Sequence, residues 1–394
     1  EKKLTVTKPN LSNAEITFPD GNEAAFNYWT ATDVPMFVVT YKGQTLEKDK
    51  DFTIAGGDSF SGVGPCTLTI KATDDGDYTG SKSADWKVRP LKVAASVGDI
   101  IKTYDGTTDL PANAKITFKS ADSYYTGTTL RLAKGTDYEV LNAHYDSADA
   151  GQKKTVSFTI KLKNEGYVFE DGKTQKDFTL NGADFDDKTF QINKATAPGS
   201  GLHPAVTVIN DLAKTYEMVL SNDYLPKLSS PCEYGNVSYS LRGTYLTDGY
   251  KDTVQAEVVE ENSQYKLKLT VPAVDYDKVS SVGTIDVRVT SDNYRDFYLT
   301  IGVKTKNKDV PVPDGPISAS DITYGQALND SKIAGKMKAG GKAIDGTFTW
   351  TDGTIKPDAN DNYEAEWTFT PAAGYEKYAT ATGTVTIKVN KATP

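Results

Sequence analysis

Cysteine and histidine are scarce in this chain, and their scarcity disfavours two classes of function. Of 394 residues, two are cysteines and two are histidines. Neither histidine, His144 or His203, has a Gly-x-Ser-x-Gly turn or a cysteine partner at a usable spacing, so a nucleophilic triad is not expected. No His/Cys cluster supports zinc. We therefore predict no enzyme, no catalytic residue and no cofactor.

The two cysteines, Cys66 and Cys232, lie far apart in sequence. We expect a separate thiol in each of two domains, because a disulfide between them would need unusual domain contact. A chain with so few cysteines fits an exported bacterial protein that is stabilised by its cores alone.

Long apolar runs are also missing. No run approaches the roughly 18 apolar residues of a membrane-spanning helix, so no spanning segment is predicted. The chain begins Glu1-Lys2-Lys3 without an apolar leader and ends at Pro394 without a hydrophobic tail. We therefore expect an internal or processed segment of a longer protein.

An excess of positive charge is absent as well. Lys and Arg number 44 against 53 Asp and Glu, which gives a net charge of −9. Nucleic-acid binding consequently has no electrostatic support. Among so many carboxylates some pair will fall at glycosidase separation by chance, and no sequence feature selects one.

Tyrosine and threonine are abundant, and apolar residues alternate with polar ones in short runs. The chain has 23 tyrosines, and its alternating runs predict half-buried β-strands. The clearest are Cys66–Ile70, Thr155–Ile160, Tyr265–Val271, Gly283–Val289, Tyr363–Phe369 and Gly383–Val389. The predicted fold class is all-β.

Long-period repetition divides the chain into predicted modules. Asn193-Lys194-Ala195-Thr196 recurs as Asn390-Lys391-Ala392-Thr393, and linker-like breaks fall at 198–201 and 310–316. Units of roughly 85–115 residues with short strands and Gly/Asn/Asp turns predict Ig-like β-sandwiches. We place four, at 1–90, 91–196, 197–309 and 310–394, joined by proline-bearing linkers into an extended string. Residues 331–341 could form a helical turn, but their glycines favour a loop.

The stretch Lys102–Pro111 opens the second predicted module with Thr103-Tyr104-Asp105-Gly106. Asp-Gly after β-forming residues predicts a tight turn. Lys214-Thr215-Tyr216 and Thr323-Tyr324-Gly325 echo this stretch. We interpret the motif as structural, with Tyr104 as a packing aromatic and Asp105-Gly106 as the turn.

These residues carry a resemblance. Lys102–Thr108, with Gly-Thr-Asp-Tyr at 135–138, resembles the Tyr-Asp-Gly repeats of bacterial surface proteins. The stretch from Ile322 to the Lys-Ala-Thr-Pro exit resembles the Ig-like repeats of large Firmicutes cell-surface proteins, and the first module is similar to related Ig-like modules. The resemblance implies an exported surface or secreted protein in which such modules act as spacers or adhesive units.

Three oxygen-rich loops are candidate Ca²⁺ sites or ordinary solvated turns. They are Asp74-Asp75-Gly76-Asp77, Asp184-Phe185-Asp186-Asp187 and Asp358-Ala359-Asn360-Asp361-Asn362. None follows an EF-hand or a Gly-rich nonapeptide spacing, so no metal site is predicted. A Lys–Asn isopeptide cross-link is a further possibility for such folds, and a loss of ~17 Da in the intact mass would reveal it.

Two pairs of adjacent aromatics are candidate binding residues: Tyr28-Trp29 and Tyr124-Tyr125. Because neighbours on a strand face opposite ways, one of each pair should point outward, where it could stack on a sugar or anchor a protein. The alternative is an inter-domain contact or a half-buried strand residue. The sequence leaves the ligand-binding residues unknown.

The leading hypothesis is a non-catalytic, monomeric extracellular stalk, spacer or adhesive segment of a bacterial cell-surface or secreted protein. The alternative is a module set that binds a host glycan or host protein, or an accessory region of a larger surface enzyme.

Overall fold

The structure is a computed structural model that describes residues 6–123, 125–199, 201–247, 249–273 and 281–393. Its helical elements in these ranges are four 3-10 turns, Leu11–Asn13, Gly182–Asp184, Asn222–Tyr224 and Leu328–Asp330. All other regular structure is β-strand, so the all-β prediction is confirmed. None of the described residues belongs to a helix long and apolar enough to cross a membrane.

The chain divides into two compact units. The first comprises Glu1–Ala195 with Ser230–Glu233, and the second comprises Thr196–Ser229 with Tyr234–Pro394. The division into four modules remains a proposal, and the names first to fourth module below refer to its residue ranges.

The first module contains three sheets, ordered β1-β4-β5, β2-β9-β8-β6 and β3-β7. Its strands are β1 (Glu15–Thr17), β2 (Glu23–Ala25), β3 (Thr32–Asp33), β4 (Val38–Tyr41), β5 (Gln44–Thr45), β6 (Phe52–Gly56), β7 (Ser59–Phe60), β8 (Gly64–Ala72) and β9 (Ser81–Arg89). In β8, Cys66, Leu68 and Ile70 are buried between more exposed residues, which is the alternation that the sequence predicts.

The second module also contains three sheets, ordered β13-β12-β10-β16, β14-β15-β17 and β11-β18. Its strands are β10 (Leu91–Val97), β11 (Ile100–Thr103), β12 (Ile116–Ser120), β13 (Thr129–Leu130), β14 (Tyr138–Tyr145), β15 (Thr155–Leu162), β16 (Tyr167–Phe169), β17 (Gln175–Asn181) and β18 (Phe190–Asn193). Phe118, Phe158, Phe169 and Phe190 are buried in it.

The third module is formed by two sheets, ordered β19-β25-β24-β21 and β20-β23-β22. Both sheets contribute to one core, with Ile285 and Val287 from the first and Leu267 and Leu269 from the second. Its strands are β19 (Ala205–Ile209), β20 (Lys214–Val219), β21 (Val237–Leu246), β22 (Gln255–Glu261), β23 (Gln264–Val271), β24 (Ser281–Ser291) and β25 (Phe297–Lys306). The shared core makes the module a β-sandwich.

The fourth module packs the sheet β28-β34-β33-β32 against smaller sheets, ordered β26-β30-β31 and β27-β29. Its strands are β26 (Val312–Pro313), β27 (Ser318–Ala319), β28 (Ile322–Thr323), β29 (Ile333–Ala334), β30 (Met337–Ala339), β31 (Lys342–Ile344), β32 (Gly346–Trp350), β33 (Asn360–Pro371) and β34 (Ala381–Asn390). Trp367, Phe369 and Met337 share its core. Within residues 331–341 the chain forms β29 and β30, so the helical turn is wrong and the favoured loop is wrong for the residues of these two strands.

One parallel ladder recurs in each module and joins an early strand to the last one. The pairs are β2 with β9, β11 with β18, β19 with β25, and β28 with β34. The residue after the early strand then donates its N–H to the final carbonyl of the last strand, which we call the closing bond. Its four examples are Phe26 to Arg89 at 2.9 Å, Tyr104 to Asn193 at 2.8 Å, Asn210 to Lys306 at 2.9 Å, and Tyr324 to Asn390 at 2.8 Å.

The closing bond explains why two short motifs repeat together. Thr103 lies opposite Asn193 in one ladder, and Thr323 lies opposite Asn390 in another. Thr-Tyr and Asn-Lys-Ala-Thr are therefore the two partners of a single structural feature. The echo at Lys214-Thr215-Tyr216 is not equivalent, because it lies on β20, which pairs antiparallel with β23.

Candidate functional site

The loop that follows the first closing bond carries Tyr28 and Trp29. Asn27 fixes this loop: its side-chain oxygen accepts the N–H of Trp29 at 3.0 Å, and its amide donates to the Thr30 hydroxyl at 2.9 Å. The backbone N–H of Asn27 donates to the Thr32 hydroxyl at 2.9 Å. Such local side-chain bonds hold a turn where no strand ladder can.

The two rings of this loop lie against each other. The centroids of Tyr28 and Trp29 are 3.7 Å apart, with 35° between the ring planes. Tyr28 is half-buried and Trp29 is 58% exposed. Burial raises the pKa of the Tyr28 phenol, although the Arg131 guanidinium opposes that rise.

Residues of the second module complete the cluster. Tyr125 lies edge-on to Trp29 at a centroid distance of 6.2 Å, and the Tyr28 hydroxyl donates to the Thr129 carbonyl at 3.4 Å. We call Tyr28, Trp29 and Tyr125 the junction aromatic cluster. Tyr124 lies outside the described residues.

The outward direction of Trp29 does not come from the strand alternation that the sequence predicts. Tyr28 and Trp29 lie in a bend and not on a strand, so strand alternation does not set their directions. The outward residue is Trp29, and the contact of Trp29 with Tyr125 joins two predicted modules. Both interpretations of these aromatics, an exposed ring and an inter-module contact, therefore apply to the same residue.

A buried ion pair lies at the same junction. Arg89, the last residue of β9, donates from Nη1 to Oδ2 of Asp122 at 2.5 Å and from Nη2 to Oδ1 at 3.2 Å. The Asp122 side chain is 2% exposed and that of Arg89 is 34% exposed. The hydrogen bond to Asp122 raises the pKa of Arg89, despite the opposing effect of burial.

Close packing at Gly166 reinforces the junction. A Cβ at residue 166 would lie 2.6 Å from the ring of Phe26, so any larger residue would need that ring to move. Phe26 also meets Tyr167 edge-on at 5.8 Å. No sequence pattern identifies Arg89, Asp122 or Phe26, because their partners lie far away along the chain.

The Tyr-Asp-Gly stretch encloses a lysine. The Lys102 side chain is 8% exposed, and its Nζ donates to Asp105 Oδ1 at 2.7 Å and to the Thr107 carbonyl at 2.8 Å. Asp105 also accepts the N–H of Thr107 at 2.9 Å. Asp105 is therefore an ion-pair partner as well as the turn residue that the sequence predicts.

Tyr104 is buried, as its predicted packing role requires. Its hydroxyl accepts the Glu233 N–H at 2.9 Å and donates to the Glu233 carbonyl at 3.1 Å, and both residues belong to the first compact unit. The echo residue Tyr324 is 55% exposed, so a shared motif does not give the two tyrosines the same surroundings.

Acidification should weaken the first compact unit through Asp105. Burial alone would raise the pKa of Asp105, but hydrogen bonds from Lys102 and Thr107 outweigh it and hold the pKa below its ordinary value of 3.8. A lowered folded-state pKa means that the unfolded chain binds more protons. This stabilisation is therefore complete well above pH 3.8 and is lost as the pH falls through the folded-state value.

We expect Asp105→Asn to cost about 1 kcal/mol at pH 7, because the amide keeps an acceptor oxygen but leaves the largely buried Lys102 ammonium without its carboxylate, and the 54% exposure of Asp105 limits the loss. Between pH 5 and pH 3, the urea midpoint of the first compact unit should also fall less steeply in Asp105→Asn than in the parent chain. Asp20→Asn, at an exposed position, is the control and should match the parent. Equal pH slopes for all three chains would contradict the assignment.

The other predicted candidates remain dispersed. The described residues contain no group of three or more His, Cys, Asp and Glu side chains placed to hold a metal. In the acidic loops, Asp361 lies 3.4 Å from Lys388 and Asp74 lies 3.9 Å from Lys71. Cys66 and Cys232 are free thiols, and His144 Nδ1 is 2.7 Å from the Asn142 carbonyl.

Two largely buried lysines bear on the isopeptide possibility. Lys102 is held by Asp105 and Thr107, and Lys154 contacts Asp146 at 3.1 Å and the Ser147 hydroxyl at 2.5 Å. A cross-link needs an asparagine side chain as well as an acid, and these contacts of the two lysines include no asparagine. Neither Lys102 nor Lys154 is therefore singled out as the site of an isopeptide bond.

Comparison with known proteins gives fold-level likeness only. No family model and no curated protein sequence matches the chain. Solved structures that match include protocadherin gamma B2 extracellular cadherin domains 3–6, with 10% identity, 96% of this chain and 100% of that chain covered, and a TM-score of 0.29. The ICAM-5 D1–D4 ectodomain fragment has 9% identity, 95% and 99% coverage and a TM-score of 0.32.

Invasin, described as a bacterial integrin-binding protein, is a further match. Its identity is 12%, its TM-score is 0.31, and the alignment covers 96% of this chain and 79% of that chain. At such identities and scores these likenesses assign no activity or partner to the chain.

Proposed function

We propose that the chain is a non-catalytic, load-bearing stalk segment of an extracellular bacterial surface or secreted protein. The observation that carries this proposal is the parallel ladder with its closing bond, found in all four predicted modules. The repeated exit motif and the resemblance to surface-protein repeats support the extracellular setting.

A parallel ladder suits a segment under tension. The chain enters the early strand at one end of the ladder and leaves the last strand at the other end. Once any strand that precedes the early strand has detached, pulling on the two ends slides the early and last strands past each other and loads all the ladder hydrogen bonds together. In an antiparallel pair both ends would lie together, and the bonds would break one after another.

The junction between the first two modules supports the same role. Only Pro90 separates β9 from β10, and proline restricts the backbone there. The Arg89–Asp122 pair and the Phe26–Gly166 contact span the same point. Within the first compact unit, the connection is therefore stiff.

Single-molecule pulling of the full chain tests the proposal. We expect separate unfolding peaks, each at a force well above the unfolding force of a marker domain whose strands unzip. Tyr324→Pro removes the N–H of one closing bond and should lower one peak, whereas Tyr324→Ala keeps that N–H and should leave every peak unchanged. Uniformly low forces, or identical traces for both variants, would overturn the load-bearing role.

A second candidate function is binding of a host glycan or protein. The junction aromatic cluster favours it, because an indole that is 58% exposed beside two tyrosines is a ready contact surface. Binding of this kind is compatible with a stalk or with an accessory region of a larger surface enzyme.

A further inference from the structure

We propose that the junction aromatic cluster is a stacking site for a neutral pyranose sugar of a polysaccharide. The inference rests on the second candidate function and assigns a ligand class to that site. It does not depend on the load-bearing role.

The indole of Trp29 is held in place and open on one side. Tyr28 lies against it at 3.7 Å, and the hydroxyl of Tyr28 is anchored on the Thr129 carbonyl. Trp29 is still 58% exposed with Tyr28 packed against it and Tyr125 beside it, so part of the indole is open to solvent. A preset ring binds at a smaller cost in conformational entropy than a free one.

The chemistry of the surroundings favours a sugar over a protein. An aromatic face carries negative charge density and attracts the weakly positive C–H groups on one face of a pyranose ring. The Arg131 guanidinium, which is exposed and lies close enough to Tyr28 to oppose the rise of its pKa, offers N–H donors for sugar hydroxyls. A protein hot spot instead needs a fully desolvated apolar pocket.

Charge favours a neutral ligand. The chain has a net charge of −9, which repels polyanionic glycans at long range. Asp122, the acidic residue near Tyr125 in sequence, is already neutralised by Arg89. Hydrogen bonding and stacking, which both persist in salt, would therefore dominate binding.

The site draws on two modules. Trp29 precedes the Arg89–Pro90 connection and Tyr125 follows it. Asn27 is a positioning residue, since it holds the loop without presenting a ring. Loss of either aromatic should weaken binding, and loss of Asn27 should weaken it less.

Native affinity electrophoresis of the full chain tests the site. The probes are hydroxyethyl cellulose, mannan and xylan as neutral polymers, and polygalacturonate as the acidic one. We expect at least one neutral polymer to retard the chain, with the retardation unchanged in 0.5 M NaCl. Trp29→Ala should weaken that binding at least tenfold, Tyr125→Ala about threefold, and Trp29→Phe by less than threefold.

Tyr324→Ala, which removes another tyrosine that is 55% exposed, is the matched control and should bind as the parent does. Three results would overturn the proposal: no retardation by any neutral polymer, retardation by polygalacturonate alone, or equal retardation of the parent and Trp29→Ala. The unfolding forces do not depend on Trp29. If no polymer retards the chain but the unfolding forces are as high as expected, the sugar site is refuted and the load-bearing role is not.

Discussion

Arg89→Ala should lower the free energy of unfolding of the first compact unit by about 3–5 kcal/mol. The loss is large because the Asp122 carboxylate, 2% exposed, would stay buried without the two guanidinium bonds it now accepts. Removing one partner of a buried pair costs more than the pair contributes, since the remaining charge has lost its compensation. Arg89→Lys should recover part of the loss, because an ammonium keeps the charge and loses the bidentate geometry.

Hydrogen exchange in increasing urea measures this effect in the full chain, using peptides from residues 81–97. Arg242→Ala, read from peptides of residues 237–246, is the matched control: Arg242 pairs with Asp286 at 3.2 Å, but its side chain is 45% exposed, so we expect a loss of about 1 kcal/mol or less. The double variant Arg89→Met/Asp122→Leu should be more stable than Arg89→Ala. A loss below about 1 kcal/mol for Arg89→Ala would show that water reaches Asp122.

Trp86→Ala should destabilise the first module by about 3–5 kcal/mol. Trp86 is 1% exposed and lies in a core cluster with Leu68 and Val88. Its indole Nε1 also donates to the Gly57 carbonyl at 2.9 Å, so alanine would leave both a cavity and an unpaired acceptor.

Trp86→Phe separates these two contributions, because it refills most of the volume and removes the hydrogen bond. We expect its loss to be about half that of alanine. Trp29→Ala is the control for removing a tryptophan at the surface, and it should change stability by about 0.5 kcal/mol or less. Urea unfolding followed by hydrogen exchange of residues 52–72 provides the measurement, and equal losses for Trp86→Ala and Trp29→Ala would contradict it.

Gly57 shows why some turns can be recognised in a sequence while their purpose cannot. Its φ is +73°, and a Cβ there would lie 1.9 Å from the Thr67 carbonyl oxygen. A Gly-Gly pair at 56–57 predicts a break in the strand, but the acceptor role of residue 57 toward Trp86 depends on a residue 29 positions away. Nearby residues predict the backbone conformation of Gly57, but they do not predict which residue Gly57 contacts.

The same distinction governs the repeats and the site. Strand periodicity in β8, β23 and β34 is a local property, and the sequence predicts all three. Tyr104 and Tyr324 were recognised as equivalent because a Thr precedes both. Asn210 and Phe26 also follow the early strand of their modules, but they share no sequence motif with Tyr104 and Tyr324. Only the closing bond identifies them as equivalent. The sequence predicts both Trp29 and Tyr125 as candidates, but only the fold shows that their rings lie together.

The closing bond also fixes an order of events along the growing chain. Ile100–Thr103 leaves the ribosome, or the export channel, long before Phe190–Asn193, its partner in the ladder. Until Asn193 has emerged, Tyr104 has no carbonyl to receive its N–H, and β11 lacks its neighbour. Each module is thus locked by its own last strand, and emergence of the next module begins only after that strand is complete.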